Sequence, residues 1–122
     1  MSTLVNVSHN ARFKTGRIIL LVAAALMTFN HAVLIFVLDD ATLFLGYAAF
    51  NLYALVIIAI PFRQRERWAW YTTWILPIGL AIPAFSDPNI AFFYLTVAAA
   101  GVLGLLLAMR DFFAIESYSD PT

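Results

Sequence analysis

The sequence predicts an all-α membrane protein: an antiparallel up-down-up-down four-transmembrane-helix bundle, N-in/C-in, in one transmembrane domain covering residues 1–122. Composition is the first observation, since 63% of the 122 residues are hydrophobic and only 11% are charged. So few charges could not cover a soluble domain of this length. The second observation is that the hydrophobic residues fall into four stretches without Asp, Glu, Lys or Arg. The third is that only short polar segments separate these stretches.

The four stretches have the length of membrane spans. They cover residues 18–38, 41–62, 68–85 and 90–109. A helix rises about 1.5 Å per residue and the hydrocarbon core is about 30 Å thick, so about 20 residues are needed to cross it. The stretch 68–85 is the shortest and therefore the weakest of the four predictions.

The polar breaks predict where the helices begin and turn. They read "DD" at 39–40, "RQRER" at 63–67 and "SDPN" at 86–89, with polar tails at 1–17 and 110–122. Asp40 and Asp87 are suited to cap helix N-termini, and Pro88 fits the first turn of a helix. Connections this short force consecutive helices to run antiparallel.

The distribution of positive charge predicts the orientation. With four spans, the N-terminus, the 63–67 loop and the C-terminus share one side, and every Lys and Arg lies there: Arg12, Lys14, Arg17, Arg63, Arg65, Arg67 and Arg110. The positive-inside rule places both termini in the cytoplasm of a multi-pass cell (inner) membrane protein. The first apolar stretch is too long for the apolar part of a cleaved signal peptide. A net charge of zero argues against a dedicated binder of nucleic acid or of anionic lipid.

Several chemistries are disfavoured by the residue inventory. The chain has no cysteine, which removes thiol chemistry and cysteine-bound metal centres. Its histidines are His9, in the polar tail, and His31, so there is no haem ligand pair within one chain. The spans also lack the acidic residue of a proton-coupled exporter. We therefore predict no catalytic residue and no metal ligand, and the sequence identifies no cofactor.

Neutral polar residues within the spans are the candidate ligand-binding groups. Depth counted at about 1.5 Å per residue places them in one layer of the outer half of the bilayer. These residues are Asn30, His31, Tyr47, Asn51, Tyr94 and Thr96. Such groups commonly form hydrogen bonds between membrane helices, and we predict that His31 pairs with Asn51 or Tyr47. A polar-lined pocket for a lipophilic molecule is the second interpretation. Catalysis by His31 is the least favoured, because no carboxylate accompanies it.

Two features of the later spans bear on packing. Pro77, Gly79 and Pro83 predict a kink in the third span, where Pro77 and Pro83 free the carbonyls of Thr73 and Gly79. The functional interpretation, which we favour less than a simple kink, is a widened space beside the polar layer. In the fourth span the small residues Ala100, Gly104 and Ala108 lie on one helix face. Such a stripe favours close helix packing within the bundle, or contact with another subunit.

The loop after the second span predicts anchoring at the membrane surface. The residues concerned are Arg63, Arg65, Arg67, Trp68 and Trp70. The segment "PFRQRERWAWYTTWILP" (61–77) also resembles a broad group of small, uncharacterised bacterial four-helix integral membrane proteins. These share an arginine-rich loop followed by Trp-Ala-Trp-Tyr and a later proline. The resemblance covers about residues 44–77; it implies a bacterial inner membrane protein with four spans, and carries no catalytic residue.

Two functions stay open at this point. The favoured one is a non-enzymatic accessory or assembly subunit of a larger membrane complex or homo-oligomer, because the chain has almost no soluble part and a small-residue stripe. The alternative is a binding protein or simple enzyme for a lipophilic small molecule (lipid, quinone or pigment) in the outer-leaflet polar layer. Both place the protein in the lipid bilayer, and an enzyme is disfavoured.

Overall fold

A computed structural model of the chain describes the backbone of residues 2–113 and the side chains of residues 10–113. The described residues form helices joined by short turns, without a strand. The helices are α1 (Ser2–Val37), α2 (Ala41–Ala59), α3 (Arg67–Thr73), α4 (Ile75–Ser86) and α5 (Pro88–Phe113). The all-α fold class is therefore confirmed. The predicted polar tail 110–122 lies outside the described residues from position 114 onwards.

Three helices are long and apolar enough to cross a membrane. They are Asn10–Val37 within α1, Ala41–Ala59 and Pro88–Phe113. In the most apolar 18-residue stretch of each helix, only 28–33% is buried inside the molecule. Large apolar side chains consequently point outwards, among them Phe36 and Phe92, which are 88% and 85% exposed. An exterior of this kind suits lipid and would be costly in water, which supports a membrane protein.

The predicted third span is not one continuous helix. The structure breaks it at Trp74, between α3 and α4. Pro77 explains the position of the break, because it has no N–H to donate to the carbonyl of Thr73. Pro83, by contrast, lies inside α4 without ending it. At about 1.5 Å per residue, α3 is about 10 Å and α4 about 18 Å long, so neither crosses the hydrocarbon core alone.

The two predicted N-caps, Asp40 and Asp87, are confirmed. The Asp40 side chain accepts a hydrogen bond from the backbone N–H of Leu43 at 3.2 Å, and so caps α2. Asp87 likewise accepts from the N–H of Asn89 at 2.9 Å, and α5 begins at Pro88. The N-terminal boundary differs from the prediction, since α1 starts at Ser2 and runs through the polar tail into the first span.

The helices pack in the order α2, α1, α5, α4, and α3 contacts both α2 and α5. Extensive contacts join α2 to α1, α1 to α5 and α5 to α4, whereas α2 and α4 scarcely meet. The fully buried side chains between the packed helices include Leu20, Met27, Ile58, Leu76 and Leu105. The bundle is thus tight on three sides and open on the fourth.

The small-residue stripe of α5 lies in the contact with α1. Gly104 and Ala108 are both buried. A Cβ built on Gly104 would lie 2.8 Å from the carbonyl oxygen of Gly16 in α1. Ala100, the third member, is half-buried. The stripe lets two backbones approach within the chain, which is the packing interpretation of the sequence pattern.

The tryptophans predicted as membrane anchors lie in different surroundings. Trp68 is 51% exposed, as a side chain at a lipid interface would be. Trp70 is buried, and its indole N–H donates to the carbonyl of Leu105 at 3.0 Å. Trp70 therefore ties α3 to α5 rather than facing the membrane surface.

Candidate functional site

Three buried polar side chains meet where α1, α2 and α5 face one another. His31 of α1 is 1% exposed, Asn51 of α2 is 2% exposed and Tyr94 of α5 is 5% exposed. The His31 Nε2 atom lies 2.8 Å from the Tyr94 hydroxyl, and the His31 Nδ1 atom lies 2.9 Å from the Asn51 amide nitrogen. Hydrogen bonds through a single imidazole therefore link three helices, and the predicted pairing of His31 with Asn51 is confirmed.

The geometry determines which atom donates in each bond. The Asn51 amide nitrogen also donates to the backbone carbonyl of Tyr47 at 2.8 Å. Since a carbonyl can only accept, this bond fixes the orientation of the amide. The second N–H of Asn51 then donates to His31 Nδ1, which must carry a lone pair. His31 Nε2 holds the proton and donates to the Tyr94 oxygen.

One acceptor in this layer is left without a donor. The Asn51 Oδ1 atom is buried and has no hydrogen-bond partner among the described residues. An unpaired buried polar group costs about 1–3 kcal/mol, because it has lost its hydrogen bonds to water. Both ring nitrogens of His31 therefore have hydrogen-bond partners, whereas the side-chain oxygen of Asn51 has none among the described residues.

A cavity of about 580 Å³ lies beside the layer, in the gap between α2 and α4. Its walls are mostly apolar, and the polar layer forms one of them. The lining residues are His31, Thr42, Leu43, Gly46, Tyr47, Phe50, Asn51, Ile75, Ile78, Gly79, Leu80, Ile82, Pro83 and Tyr94. Because α2 and α4 scarcely touch, the cavity opens sideways between the helices, towards the surroundings of the bundle.

Glycines shape the cavity from both helices. A Cβ built on Gly46 of α2 would have no atom within 4 Å, so this position faces open space. Gly79 of α4 lies under the ring of Phe50, whose nearest atom would be 2.7 Å from an added Cβ. A widened space, which was the less favoured interpretation of the third-span prolines, is therefore present beside the polar layer, and Pro83 and Gly79 both line it.

Tyr47 is a half-buried side chain in the polar wall of the cavity. Its ring lies 5.2 Å from the His31 ring, centroid to centroid. Its hydroxyl forms no hydrogen bond with the residues that the structure describes, so it can donate to or accept from a molecule in the cavity. The Phe44 ring also stacks on the imidazole of His31, with centroids 6.3 Å apart.

Two predicted site residues lie away from the cavity. Asn30 is half-buried and interacts with the Tyr94 side chain, so it supports the layer without lining the cavity. Thr96 is exposed, and its hydroxyl donates to the carbonyl of Phe92 in its own helix at 2.6 Å. The structure therefore brings together His31, Tyr47, Asn51 and Tyr94 and leaves Thr96 outside.

Apart from Gly79 and Pro83, sequence reasoning missed the part of the cavity that α4 supplies, and it missed four residues of α2: Thr42, Leu43, Gly46 and Phe50. Thr42, Gly46 and Phe50 recur every four residues, and this spacing could have marked the face of α2 that carries them. No comparable polar signal marks α4, since Ile75, Ile78 and Ile82 resemble any lipid-facing residues.

The histidine of the site uses its nitrogens for hydrogen bonds within the protein. Within residues 10–113 there is no group of three His, Cys, Asp or Glu side chains that could hold a metal ion. His31 has its two nitrogens engaged by Asn51 and Tyr94, and neither partner is a carboxylate that would orient a general base.

Comparison of the chain with known protein families, curated proteins and solved structures finds no match. The class of protein is therefore defined by the fold and the site alone: an all-helical membrane protein with a lateral apolar cavity beside a buried polar layer.

Proposed function

We propose that this protein binds a lipophilic molecule that carries a hydroxyl group, in the cavity between α2 and α4, without transforming it. The observation that carries the proposal is an apolar cavity whose polar wall holds an unpaired acceptor, Asn51 Oδ1, beside the unbonded hydroxyl of Tyr47. Sites for small molecules usually combine a mostly apolar lining with a few polar groups that fix orientation.

The lining defines the chemistry of the ligand. A volume of about 580 Å³ suits a molecule with an extended or ring-shaped hydrocarbon body. A pure hydrocarbon would leave Asn51 Oδ1 unpaired, whereas a hydroxyl can donate to an acceptor and accept from Tyr47. We infer that the ligand first meets Tyr47 and reaches Asn51 when the Tyr47 side chain turns, because Asn51 Oδ1 is covered.

The proposal includes the topology. We propose that α3 and α4 together form the third crossing, since residues 67–86 would extend about 30 Å as a helix. Both termini then lie in the cytoplasm of an inner membrane, with the acidic 39–40 and 86–89 turns outside. A reporter that is active only in the periplasm, fused to the C-terminus, should be inactive. Robust activity would show that the topology or the number of spans is wrong.

Binding can be tested with a matched pair of probes, farnesol and its hydrocarbon counterpart farnesene. We expect native mass spectrometry of the full chain in detergent to show farnesol bound in preference to farnesene. Gly46→Leu should abolish retention of farnesol by filling the cavity, and Tyr47→Phe should weaken it by removing only the hydroxyl. Ala49→Leu, at an exposed position of the same helix outside the cavity, is the control and should bind normally.

Two outcomes would contradict the proposal. Equal retention of farnesene and farnesol would show that the polar wall does not contribute to binding. Normal retention by the Gly46→Leu variant would show that the probe binds elsewhere.

The accessory-subunit hypothesis stays a prediction with less support. One of its arguments was the small-residue stripe, but Gly104 and Ala108 pack against α1 within the chain. A protein partner that co-purifies with this chain in stoichiometric amount would favour the accessory-subunit hypothesis over the binding proposal.

A further inference from the structure

A second cleft lies at the other end of the bundle and has the opposite chemistry. It has a volume of about 590 Å³ and lies between the first half of α1 and the turn after α2. Four of the chain's seven Lys and Arg residues line it: Lys14, Arg17, Arg63 and Arg65. Asn10 and Phe13 are the main uncharged side chains of its wall.

Arg17 is held in place by the end of α2. Its guanidinium donates to the carbonyl of Ile58 at 3.2 Å and to that of Ala59 at 3.0 Å. Carbonyls at a helix C-terminus lack partners within the helix and carry partial negative charge, so they hold a cation well. Arg17 is also close enough to Arg63 for the two positive charges to repel each other.

Arg65 is held by contacts of a different kind. Its guanidinium lies 4.3 Å from the centre of the Phe13 ring and 3.6 Å from a carboxylate oxygen of Asp111, and it donates to the Asn10 side chain at 3.4 Å. Its backbone has φ 58°, a left-handed conformation that costs a residue with a side chain about 1 kcal/mol or more. The Phe13 ring is itself stacked on Phe62, with centroids 5.8 Å apart.

The cleft carries an excess of positive charge. Asp111 is paired with Arg65, and in the described part of the chain neither Lys14 nor Arg63 forms an ion pair. Arg17 is bonded only to neutral carbonyls. Four cations thus face one carboxylate, and an anion with two negative charges would relieve the repulsion between them.

We propose that this cleft is a binding site for a phosphate group, with Arg17 and Arg65 held in place by their other contacts and Lys14 and Arg63 closing on the anion. Arginine forks match the geometry of phosphate oxygens, and lysine adds a point charge. The cleft lies near the N-terminal end of the α1 span. A phosphate at this place could belong to a lipid headgroup or to a soluble phosphate ester. This proposal is independent of the α2–α4 cavity.

The test uses the full chain and two probes, phosphatidic acid and glycerol 3-phosphate. The protein is placed in phosphatidylcholine nanodiscs that contain 5 mol% phosphatidic acid, and native mass spectrometry measures how much of each lipid stays with it. A Lys14→Gln, Arg63→Gln double variant removes the two exposed cleft charges that form no ion pair or hydrogen bond with another described residue. An Arg12→Gln, Arg110→Gln double variant is the control, because it removes two exposed charges outside the cleft.

We expect the cleft variant to lose retention of phosphatidic acid by roughly tenfold or more and the control variant by less than about threefold. Retention that 10 mM glycerol 3-phosphate does not displace would assign the site to a lipid headgroup, and displacement would assign it to a soluble ester. Equal losses in the two double variants would overturn the proposal, since lipid retention would then follow net charge alone. Retention of phosphatidic acid no greater than that of phosphatidylcholine, together with no binding of glycerol 3-phosphate, would overturn it as well.

Discussion

Two sides of this bundle use glycine in opposite ways. Where α1 meets α5, a Cβ on Gly16 would lie 2.5 Å from the carbonyl oxygen of Gly104, so the two backbones are in direct contact. Where α2 faces α4, a Cβ on Gly46 would meet no atom within 4 Å. The same residue type makes contact possible on one side and leaves space on the other. A tight side can hold the fold while the open side remains available to a ligand.

The buried polar layer connects the two sides. His31 lies on α1, which belongs to the tight side, and its partner Asn51 lies on α2 at the edge of the cavity. Its other partner, Tyr94, lies on α5 and also lines the cavity. The hydrogen bonds therefore keep the cavity wall in place without filling the cavity.

The largest effect is expected from filling the tight side. Gly104→Leu places a branched side chain against the Gly16 backbone, which cannot move away without separating α1 from α5. We expect a loss of about 3 kcal/mol or more in the free energy of unfolding, measured by thermal or denaturant unfolding in detergent. Leu106→Ala, at a position 51% exposed on the same helix, is the control and should cost less than about 0.5 kcal/mol. The reverse order would mean that the stripe faces lipid.

A smaller effect is expected from breaking the link between the sides. His31→Leu removes one hydrogen bond of the Tyr94 hydroxyl and leaves one N–H of Asn51 without a partner, and should cost about 1–2 kcal/mol. His31→Gln should retain much of that stability, because an amide can donate to Tyr94 and accept from Asn51. Unfolding in detergent measures both variants. If Gln is as damaging as Leu, the layer depends on the shape of the imidazole and not on its hydrogen bonds.

Gly79 is expected to show an intermediate behaviour, since it lies on the open side but under a ring. Gly79→Ala brings a methyl group against Phe50, whose side chain can turn into the cavity. We expect a loss below about 1 kcal/mol, less than that of Gly16→Ala on the tight side, where the obstacle is backbone. The comparison of these two Gly→Ala variants by thermal unfolding isolates the effect of the neighbour. Equal losses would mean that Phe50 is as fixed as a backbone carbonyl.

The smallest change in stability is expected for Gly46→Leu. The new side chain enters empty space, so the free energy of unfolding should stay within about 0.5 kcal/mol of the wild-type value. The same variant should lose farnesol, which separates function from folding. A marked loss of stability would show that the gap between α2 and α4 is narrower than the structure indicates.

The sequence was sufficient for the features that depend on neighbours along the chain. Asp40 and Asp87 cap helices because a carboxylate at that position reaches the free N–H groups two or three residues on. Pro77 and Pro83 predicted an interruption in the third span, since a missing N–H acts one turn earlier, but they did not show that only Pro77 would break the helix. The all-α class followed from composition, because only helices satisfy their own backbone in long apolar stretches.

The candidate site was only half visible in the sequence. The depth of His31 and Asn51 predicted that they could meet, and they do. The sequence did not single out Tyr94 as the second partner of His31, nor exclude Thr96, which lies two residues further along the same helix. That choice depends on the rotation of α5 about its axis, which a count of residues along the chain does not supply.

What the sequence determined by itself was the apolar, all-helical character of the protein and the extent of α2 and α5 to within a few residues, since hydropathy and capping act locally. Only the tertiary structure decided that α2 and α4 stand apart, that Gly16 and Gly104 touch while Gly46 faces a cavity, and that four cations converge on one cleft. The physical reason is that these features depend on distances between segments far apart in the chain. Such distances are set by how whole helix faces pack, and no single residue determines them.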